Sequence, residues 1–261
     1  MAKEAPPPMI ELSGIQWMAV ADILAFAVVA LFSLTIYLLI SQSRVLFRFR
    51  NSISVSVSLT INATIFAGLI LRSYVNASHG NSVSVGFANG SFNGTLRLGE
   101  WLIGIPLQII VILSILSISR SRKRQILQKL IPATLLMIIL GFFAAINADK
   151  GLRFMIAGLA ILPFLYVLTF LLRNFTEPLN HELPDISWGF KTLRKLLIMT
   201  WSAYPIIFLI QISQDSIAGS AGVFVGTQTA LSLLDVITKG GITLIILSIA
   251  RSQSEAEGAP E

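Results

Sequence analysis

Seven apolar runs dominate this sequence and limit the folds that it can adopt. A membrane-spanning helix needs about 20 predominantly apolar residues, and most of the runs have about that length. Only 12% of all residues are charged, whereas a soluble domain carries about 25%. The sequence therefore predicts an all-α membrane protein in which one domain, residues 15–250, contains seven transmembrane helices. The runs, called segments A to G, are Ile15–Ile40, Ser52–Leu71, Glu100–Ile118, Ile131–Ile146, Leu152–Leu172, Leu196–Ile212 and Val223–Ala250.

Segment B carries a pattern that conflicts with a helix. Every second residue from Ser52 to Asn62 is small and polar, a period that is typical of a β-strand. A lone strand would leave its backbone groups without hydrogen bonds in lipid, so we predict a helix here. Its small polar side chains then serve either close helix packing or a water-filled path.

The connection between segments B and C contains turn signals. His79-Gly80-Asn81 precedes Ser82–Phe87, in which apolar and polar side chains alternate, and Ala88-Asn89-Gly90 follows. Glycine and asparagine beside alternating residues indicate a β-hairpin. We expect a short hairpin on the extracellular surface of the membrane.

The basic residues are distributed unevenly between the two sides of the predicted bundle. Thirteen of the 19 Lys and Arg residues lie in the A–B, C–D and E–F connections or C-terminal to segment G. Cytoplasmic connections carry the excess of basic residues. This rule predicts an extracellular N-terminal tail at residues 1–14 and a cytoplasmic acidic tail at residues 251–261, in the plasma membrane of a prokaryote. The net charge of +6 is then explained by the orientation of the protein in the membrane. The expected partner is membrane lipid and not nucleic acid.

Lys239 lies in the middle of segment G, four residues after Asp235. An ionisable residue at this depth is expensive and indicates a functional site, and the spacing places both side chains on one helix face. Three readings remain open: a structural ion pair, the gate of a seven-helix transporter, or a lysine that forms a Schiff base with a carbonyl compound. The chain has no cysteine, and both histidines lie in connections, so no metal site is predicted.

Three motifs resemble those of the microbial (type 1) rhodopsin family, in particular its bacteriorhodopsin-like members. Leu234–Lys239 resembles the retinal-attachment segment, Trp201–Pro205 the sixth-helix motif, and Arg97–Trp101 with Pro106 the third-helix motif. The resemblance implies all-trans retinal bound covalently to Lys239 as a protonated Schiff base. It also implies a photoreceptor and not an enzyme.

The resemblance implies roles for further residues. Glu100 and Asp235 are expected as counterions, Glu100 also as the proton acceptor, and Arg97 as part of the proton path. Arg97 precedes Glu100 by three residues, which places it one turn away on the same helix face. The expected retinal pocket consists of Trp101, Ile105, Gln108, Met137, Gly141, Phe164, Trp201, Tyr204, Pro205, Phe208 and Thr238.

Some positions depart from the pattern of the family. Glu100 stands where bacteriorhodopsin has an aspartate, and Gly104 stands where a threonine commonly binds that acid. Val111 stands where outward proton pumps usually carry a donor carboxylate, and Ala157 replaces a pocket tryptophan. The absence of a donor at Val111 predicts slow reprotonation and therefore a slow cycle.

The function implied by the resemblance is light-driven proton transport with Glu100 as the Schiff-base proton acceptor. A blue-light photosensor without strong pumping, or a light-gated ion channel, is the alternative. Gln108 and Thr238 match residues of blue-absorbing family members, so we expect absorption toward the blue. Expected partners are protons or other small ions, further copies of the chain in a trimer or pentamer, and in the sensor reading a transducer.

Overall fold

Within the part of the chain that the structure describes, seven long apolar helices confirm the seven predicted spans. The structure is a computed structural model, and it describes residues 8–86, 90–116, 118–174, 184–214 and 219–257. The seventh span is one continuous helical rod that consists of α7, a π-helical turn and α8. The elements are α1 (Gly14–Ser41), α2 (Phe47–Asn76), α3 (Leu96–Ile115), α4 (Arg120–Ile146), α5 (Lys150–Asn174), α6 (Pro184–Ile212), α7 (Ala221–Asp235), the π turn (Val236–Gly240) and α8 (Gly241–Ala256).

The helix boundaries differ from the predicted segments mainly at polar ends. Helix α6 begins at Pro184 and not at Leu196, and α8 continues to Ala256. Ser13 caps α1, since its Oγ accepts from Gln16 N at 3.2 Å while Gln16 Oε1 accepts from Ser13 N at 2.9 Å. Polar side chains satisfy the first backbone N–H groups of a helix, so these ends extend beyond the apolar runs.

Segment B is helical throughout, as predicted against its period of two. The hydroxyl groups of α2 donate to carbonyl groups of their own helix one turn earlier. Ser56 Oγ bonds to Ser52 O at 2.9 Å, and Thr64 Oγ1 bonds to Thr60 O at 2.8 Å. Such bonds satisfy hydroxyl groups without water, which favours the packing interpretation of these side chains.

A small antiparallel sheet covers one end of the bundle. The predicted hairpin is present as β2 (Ser78–His79) and β3 (Ser82–Ser84), with Gly80 at a positive φ of 63° in its turn. A third strand that we did not predict, β1 (Met9–Glu11), pairs with β3 and leaves β3 in the centre. The N-terminal tail is therefore part of the sheet from Met9 onward, whereas residues 1–7 and 258–261 of the predicted tails lie outside the described residues.

The helices form a ring in chain order, and the seventh span closes it. This span contacts α1, α2, α3 and α6. The largest buried apolar cluster, which includes Ile112, Leu193 and Ile246, lies at the end opposite the sheet. Outward-facing side chains such as Val29 and Leu162 are apolar and exposed, as expected of a surface that faces lipid.

Candidate functional site

The π turn interrupts the seventh span at Lys239. The five residues Val236–Gly240 form a π-helical turn between α7 and α8, which holds one residue more than an α-helical turn would. Such π segments are frequent at functional sites. The turn lies beside α6 at Gly241, where a Cβ atom would stand 2.7 Å from Leu196 Cδ2. A side chain at this position would therefore require Leu196 to move.

The amine of Lys239 lies between two carboxylates from different spans. Its side chain is 2% exposed. Nζ donates to Asp235 Oδ1 at 2.7 Å and to Glu100 Oε2 at 2.8 Å. A buried cation needs paired counter-charge, and here α7 and α3 each contribute one acid.

Asp235 is the more fully bonded of the two acids. Arg97 Nη1 donates to Asp235 Oδ2 at 3.0 Å, and Tyr204 OH donates to Oδ1 at 2.8 Å. Arg97 Nη2 also bonds to Ser232 Oγ at 2.9 Å and to Gln228 Oε1 at 3.2 Å. Two cations and two carboxylates thus form one buried network with balanced charge.

Glu100 has fewer donors and a close neighbour. Asn62 Nδ2 donates to Oε1 at 3.3 Å. A Cβ atom at Gly104 would stand 2.5 Å from the same Oε1. Glutamate is one methylene longer than the aspartate of bacteriorhodopsin, and the missing side chain at Gly104 provides room for it.

An apolar cavity adjoins Lys239. Its lining residues surround empty space of about 840 Å³, part of it open to the outside. Ten of the eleven residues expected in the retinal pocket line this cavity: Trp101, Ile105, Gln108, Met137, Gly141, Phe164, Trp201, Tyr204, Pro205 and Phe208. Thr238 is the exception: it is fully buried in the π turn, and its Oγ1 lies 3.5 Å from Tyr204 OH.

Aromatic rings form two walls of this cavity. Trp101 and Tyr204 meet edge to face, with ring centroids 5.1 Å apart. Trp201 Nε1 donates to Gln108 Oε1 at 3.2 Å, which fixes both side chains. Ala157 also lines the cavity, and its small side chain leaves space beside α5.

Sequence reasoning missed several residues of the site. Asn62, Gln228 and Ser232 belong to the charged network, yet in sequence each resembles an ordinary polar residue of a packed helix. The further cavity residues that were missed are Leu98, Ile138, Ala160, Ile161 and Leu209. Their only signal is that they lie one helical turn from a predicted pocket residue.

On the side of Lys239 that faces away from the sheet lies the largest cluster of buried apolar side chains. Val111 is fully buried and belongs to a cluster with Ile112, Ile115 and Leu197. This cluster separates the charged network from the basic end of the bundle. Among the described residues, the buried carboxylates are Glu100 and Asp235, and both belong to the charged network.

Comparison with known proteins agrees with this geometry. A family model described as "Bacteriorhodopsin-like protein" matches residues 21–253. Bacteriorhodopsin of Halobacterium salinarum is 30% identical over 166 residues, which are 63% of this chain and 60% of that protein. Sensory rhodopsin III of Haloarcula marismortui is 22% identical over 153 residues, which are 59% of this chain and 62% of that protein. The chain spans about 60% of the length of the first curated relatives that it matches.

Solved structures match over nearly the whole chain. A thermophilic rhodopsin has a TM-score of 0.86 and 25% identity, covering 96% of this chain and 99% of its own. Xanthorhodopsin, described as a light-driven ion pump with dual chromophore, has a TM-score of 0.86 over 97% of this chain and 100% of its own. Its identity of 23% shows the fold alone. The match of the family to residues 21–253 establishes that this chain belongs to the bacteriorhodopsin-like family of microbial rhodopsins.

Proposed function

We propose that this protein is a retinal-binding photoreceptor that performs light-driven proton transport. One observation carries the proposal: the amine of Lys239 lines an apolar cavity and lies within 2.8 Å of carboxylates from two helices. An amine in such a pocket can bind a carbonyl compound covalently. The adjacent acids then offer both a fixed counter-charge and a proton acceptor.

The cavity residues fit all-trans retinal as the bound group. Lys239 would hold it by a covalent bond to Nζ, as a protonated Schiff base. Trp101, Trp201 and Tyr204 would enclose its polyene between aromatic rings, and the space near Ala157 would accommodate its bulky end. When bound, retinal would supply the absorption of light and an isomerisation that changes the surroundings of the protonated nitrogen.

Glu100 is the better proton acceptor and Asp235 the better fixed counterion. Asp235 accepts hydrogen bonds from Lys239, Arg97 and Tyr204, so its charge has three partners. Glu100 accepts from Lys239 and, through its other oxygen, from Asn62 at the longer distance of 3.3 Å. Proton transfer needs donor and acceptor within about 2.6–3.2 Å, and Lys239 Nζ and Glu100 Oε2 meet that condition.

Arg97 gives the proposed path a direction. Its guanidinium lies on the sheet-bearing side of the network and also lines a second, more polar cavity at that end. We propose that this end is extracellular, with the N-terminus outside and the basic end in the cytoplasm of a prokaryotic cell. A proton accepted by Glu100 would then leave toward the sheet. Residues 15–250 would form the retinal-binding domain between the two tails, and the assembly would be a trimer or pentamer.

A photosensor is the second candidate, and the apolar surroundings of Val111 favour it. Since no described residue other than Glu100 and Asp235 is a buried carboxylate, return of a proton to Lys239 would be slow, and a slow cycle suits signalling to a transducer. A channel has less support. The hydroxyl groups of α2 bond to their own helix and do not line either large cavity.

The test uses membranes that contain the full chain and all-trans retinal. We expect a visible absorption band and light-induced acidification outside the membrane, which a protonophore abolishes. Lys239→Ala should lose both. Glu100→Gln should keep the band at a shifted position and lose proton transport, since the amide cannot accept the proton.

The outcomes separate the candidates. No visible band, or a band that Lys239→Ala retains, would refute retinal binding at this lysine. A band without proton movement would favour the sensor, and passive light-gated currents under voltage clamp would favour the channel. Unchanged transport in Glu100→Gln would remove Glu100 as the acceptor.

A further inference from the structure

One charged residue of α1 takes no part in the site described above. Asp22 is the only charged residue between Gly14 and Ser41, and it is exposed. The apolar outer surface of α1 begins with Ile15 and Met18, and Asp22 lies about 10 Å further along the helix axis than Ile15. Long Lys and Arg side chains can reach the polar membrane surface from such a depth, but aspartate is too short. Ionisable residues within membrane spans usually have a partner.

Asp22 points away from the helix bundle. The buried residues of α1 form one stripe, which includes Val20, Leu24 and Leu31. Successive residues of an α-helix are rotated by about 100°, so Asp22 lies on the side of the helix opposite Val20. Its carboxylate has no hydrogen bond or ion pair among the described residues. The side chain therefore faces lipid or a second protein.

Arg72 of α2 carries the opposite charge at the same depth. Thr35 Oγ1 donates to Thr60 Oγ1 at 2.8 Å, which places these residues of two antiparallel helices at one level. Asp22 precedes Thr35 by 13 residues, and Arg72 follows Thr60 by 12. Both charges therefore lie about 18–20 Å from that level, toward the end of the bundle that carries the sheet.

Arg72 also points away from the bundle. It is exposed, whereas Tyr74, two residues later and thus on the opposite helix face, is fully buried. No described residue forms a hydrogen bond or ion pair with Arg72. Asp22 and Arg72 point outward from neighbouring helices of a ring, so their directions diverge within one chain. A second copy of the chain can bring the two charges together.

Small residues beside both charges permit the close approach of another helix. Ala19 lies one turn from Asp22 on the exposed face of α1. Gly68 lies one turn from Arg72, and a Cβ atom there would meet no atom within 4 Å. Membrane helices associate through such small residues, because these let the backbones approach each other. The two faces are thus complementary in charge and open to close contact.

Arg72 fits this role better than the other basic residues near the sheet. Arg97 and Arg153 are buried. Lys150 is the first residue of α5 and already interacts within its own chain. Lys3 lies outside the described residues, and the reversal of its charge is therefore part of the test.

We propose that copies of this chain assemble into a ring in which Asp22 of one copy pairs with Arg72 of the next copy. Each copy presents its acid on α1 and its cation on α2, so the same contact repeats until the ring closes. The contact removes both charges from lipid and gives each a partner. This ring specifies the trimer or pentamer of the proposed function, yet it is independent of retinal, since neither residue lines the cavity beside Lys239.

The experiment measures the oligomeric state of the purified full chain in mild detergent, by native mass spectrometry over a range of concentrations. Asp22→Arg and Arg72→Asp each place like charges opposite one another. We expect copies of either variant to associate at least about tenfold more weakly than the wild type, and the double variant to regain the wild-type state. Glu11→Arg reverses an exposed charge of β1, and Lys3→Glu reverses a charge of the N-terminal tail. Both controls should associate as the wild type does.

Co-expression distinguishes a contact between copies from a contact within one copy. Each single variant carries two like charges at these positions, so it can pair neither internally nor with itself. A tagged Asp22→Arg chain should nevertheless retain an untagged Arg72→Asp chain on an affinity column, because each supplies the charge that the other needs. It should not retain an untagged Asp22→Arg chain.

Four results would overturn the proposal. The first is a wild type that stays monomeric at every concentration, and the second is undiminished association of a single variant. The third is a double variant or a co-expressed pair that fails to associate. The fourth is equal weakening in Glu11→Arg or Lys3→Glu.

Thermal unfolding in the same detergent identifies a charge reversal that has prevented folding. Asp22→Asn or Arg72→Gln then takes its place, and wild-type association in that neutral variant would overturn the proposal as well. Failure of the wild type to form a pigment with retinal would refute the proposed photoreceptor function and leave these measurements unaffected.

Discussion

At the scale of single residues, the exchange of the family's aspartate for Glu100 is matched by Gly104. The two positions are one turn apart, and the longer acid occupies space that a Cβ atom at Gly104 would need. The sequence shows both departures, yet only the distance of 2.5 Å from that Cβ position to Glu100 Oε1 shows that they belong together. Side-chain length and helix spacing do not reveal which way a flexible glutamate turns.

Gly104→Ala should therefore impair proton transport without preventing folding. The new methyl group would displace the carboxylate of Glu100, which is the movable end of a flexible side chain. A misplacement of about 1 Å can reduce a rate by about a hundredfold, and we expect a loss of tenfold or more by that reasoning. The initial rate of light-induced acidification measures it.

Two further variants sharpen this test. Glu100→Asp in the Gly104→Ala background shortens the acid and should restore part of the rate. Gly226→Ala, at an exposed helical glycine with no atom within 4 Å of the new Cβ, is the matched control and should leave the rate unchanged. An undiminished rate in Gly104→Ala would show that Glu100 does not need this space.

Gln108 should tune the colour of the pigment. Its amide lines the cavity and accepts from Trp201 Nε1 at 3.2 Å, so it is a fixed dipole beside the proposed chromophore. We expect Gln108→Leu, which removes that dipole at similar volume, to move the absorption maximum to longer wavelength. Leu209→Ile, a change between apolar residues of the same cavity, is the control. A maximum that stays in place in both variants would contradict the expectation of blue tuning by Gln108.

At the scale of elements, the sequence predicts helix existence well and helix detail poorly. The period of two in α2 does not produce a strand, because in lipid every backbone group needs a hydrogen bond within the protein and a helix provides these bonds. The π turn left no comparable signal, because one extra residue in a helix changes no composition and little periodicity. The third strand was missed because Met9–Glu11 is too short to show alternation before its pairing with β3 is known.

The seventh span packs closely against α6 at Gly241, directly after the π turn. Gly241→Ala would place a methyl group 2.7 Å from Leu196 Cδ2, and overpacking of this kind destabilises a protein by about 1–3 kcal/mol. We expect a lower temperature of thermal unfolding in detergent. Leu196→Ala in the same chain should relieve the clash, so the two changes should not be additive. Additive effects would place the cause elsewhere than in this contact.

At the scale of the whole molecule, composition and local motifs predicted the seven spans, the lysine and most of the cavity. The motifs also named the four charged residues of the network, but they did not predict the uncharged partners, because these come from other helices or other turns. Asn62 reaches Glu100 from α2, while Gln228 and Ser232 reach Arg97 from α7. Such contacts depend on the rotation of each helix about its axis, which packing against neighbours determines.

The orientation of the whole bundle can be tested directly because the chain has no cysteine. Asn81 lies in the sheet-bearing end and Ser121 at the start of α4, and both are exposed. Cysteine is placed at one position at a time and labelled in intact cells with a membrane-impermeant maleimide. The concentration of basic residues near Ser121 predicts that this end is cytoplasmic. We therefore expect Asn81→Cys to be labelled in intact cells, and Ser121→Cys only after the membrane is permeabilised. The reverse pattern would invert the bundle and direct the proposed proton path toward the cytoplasm.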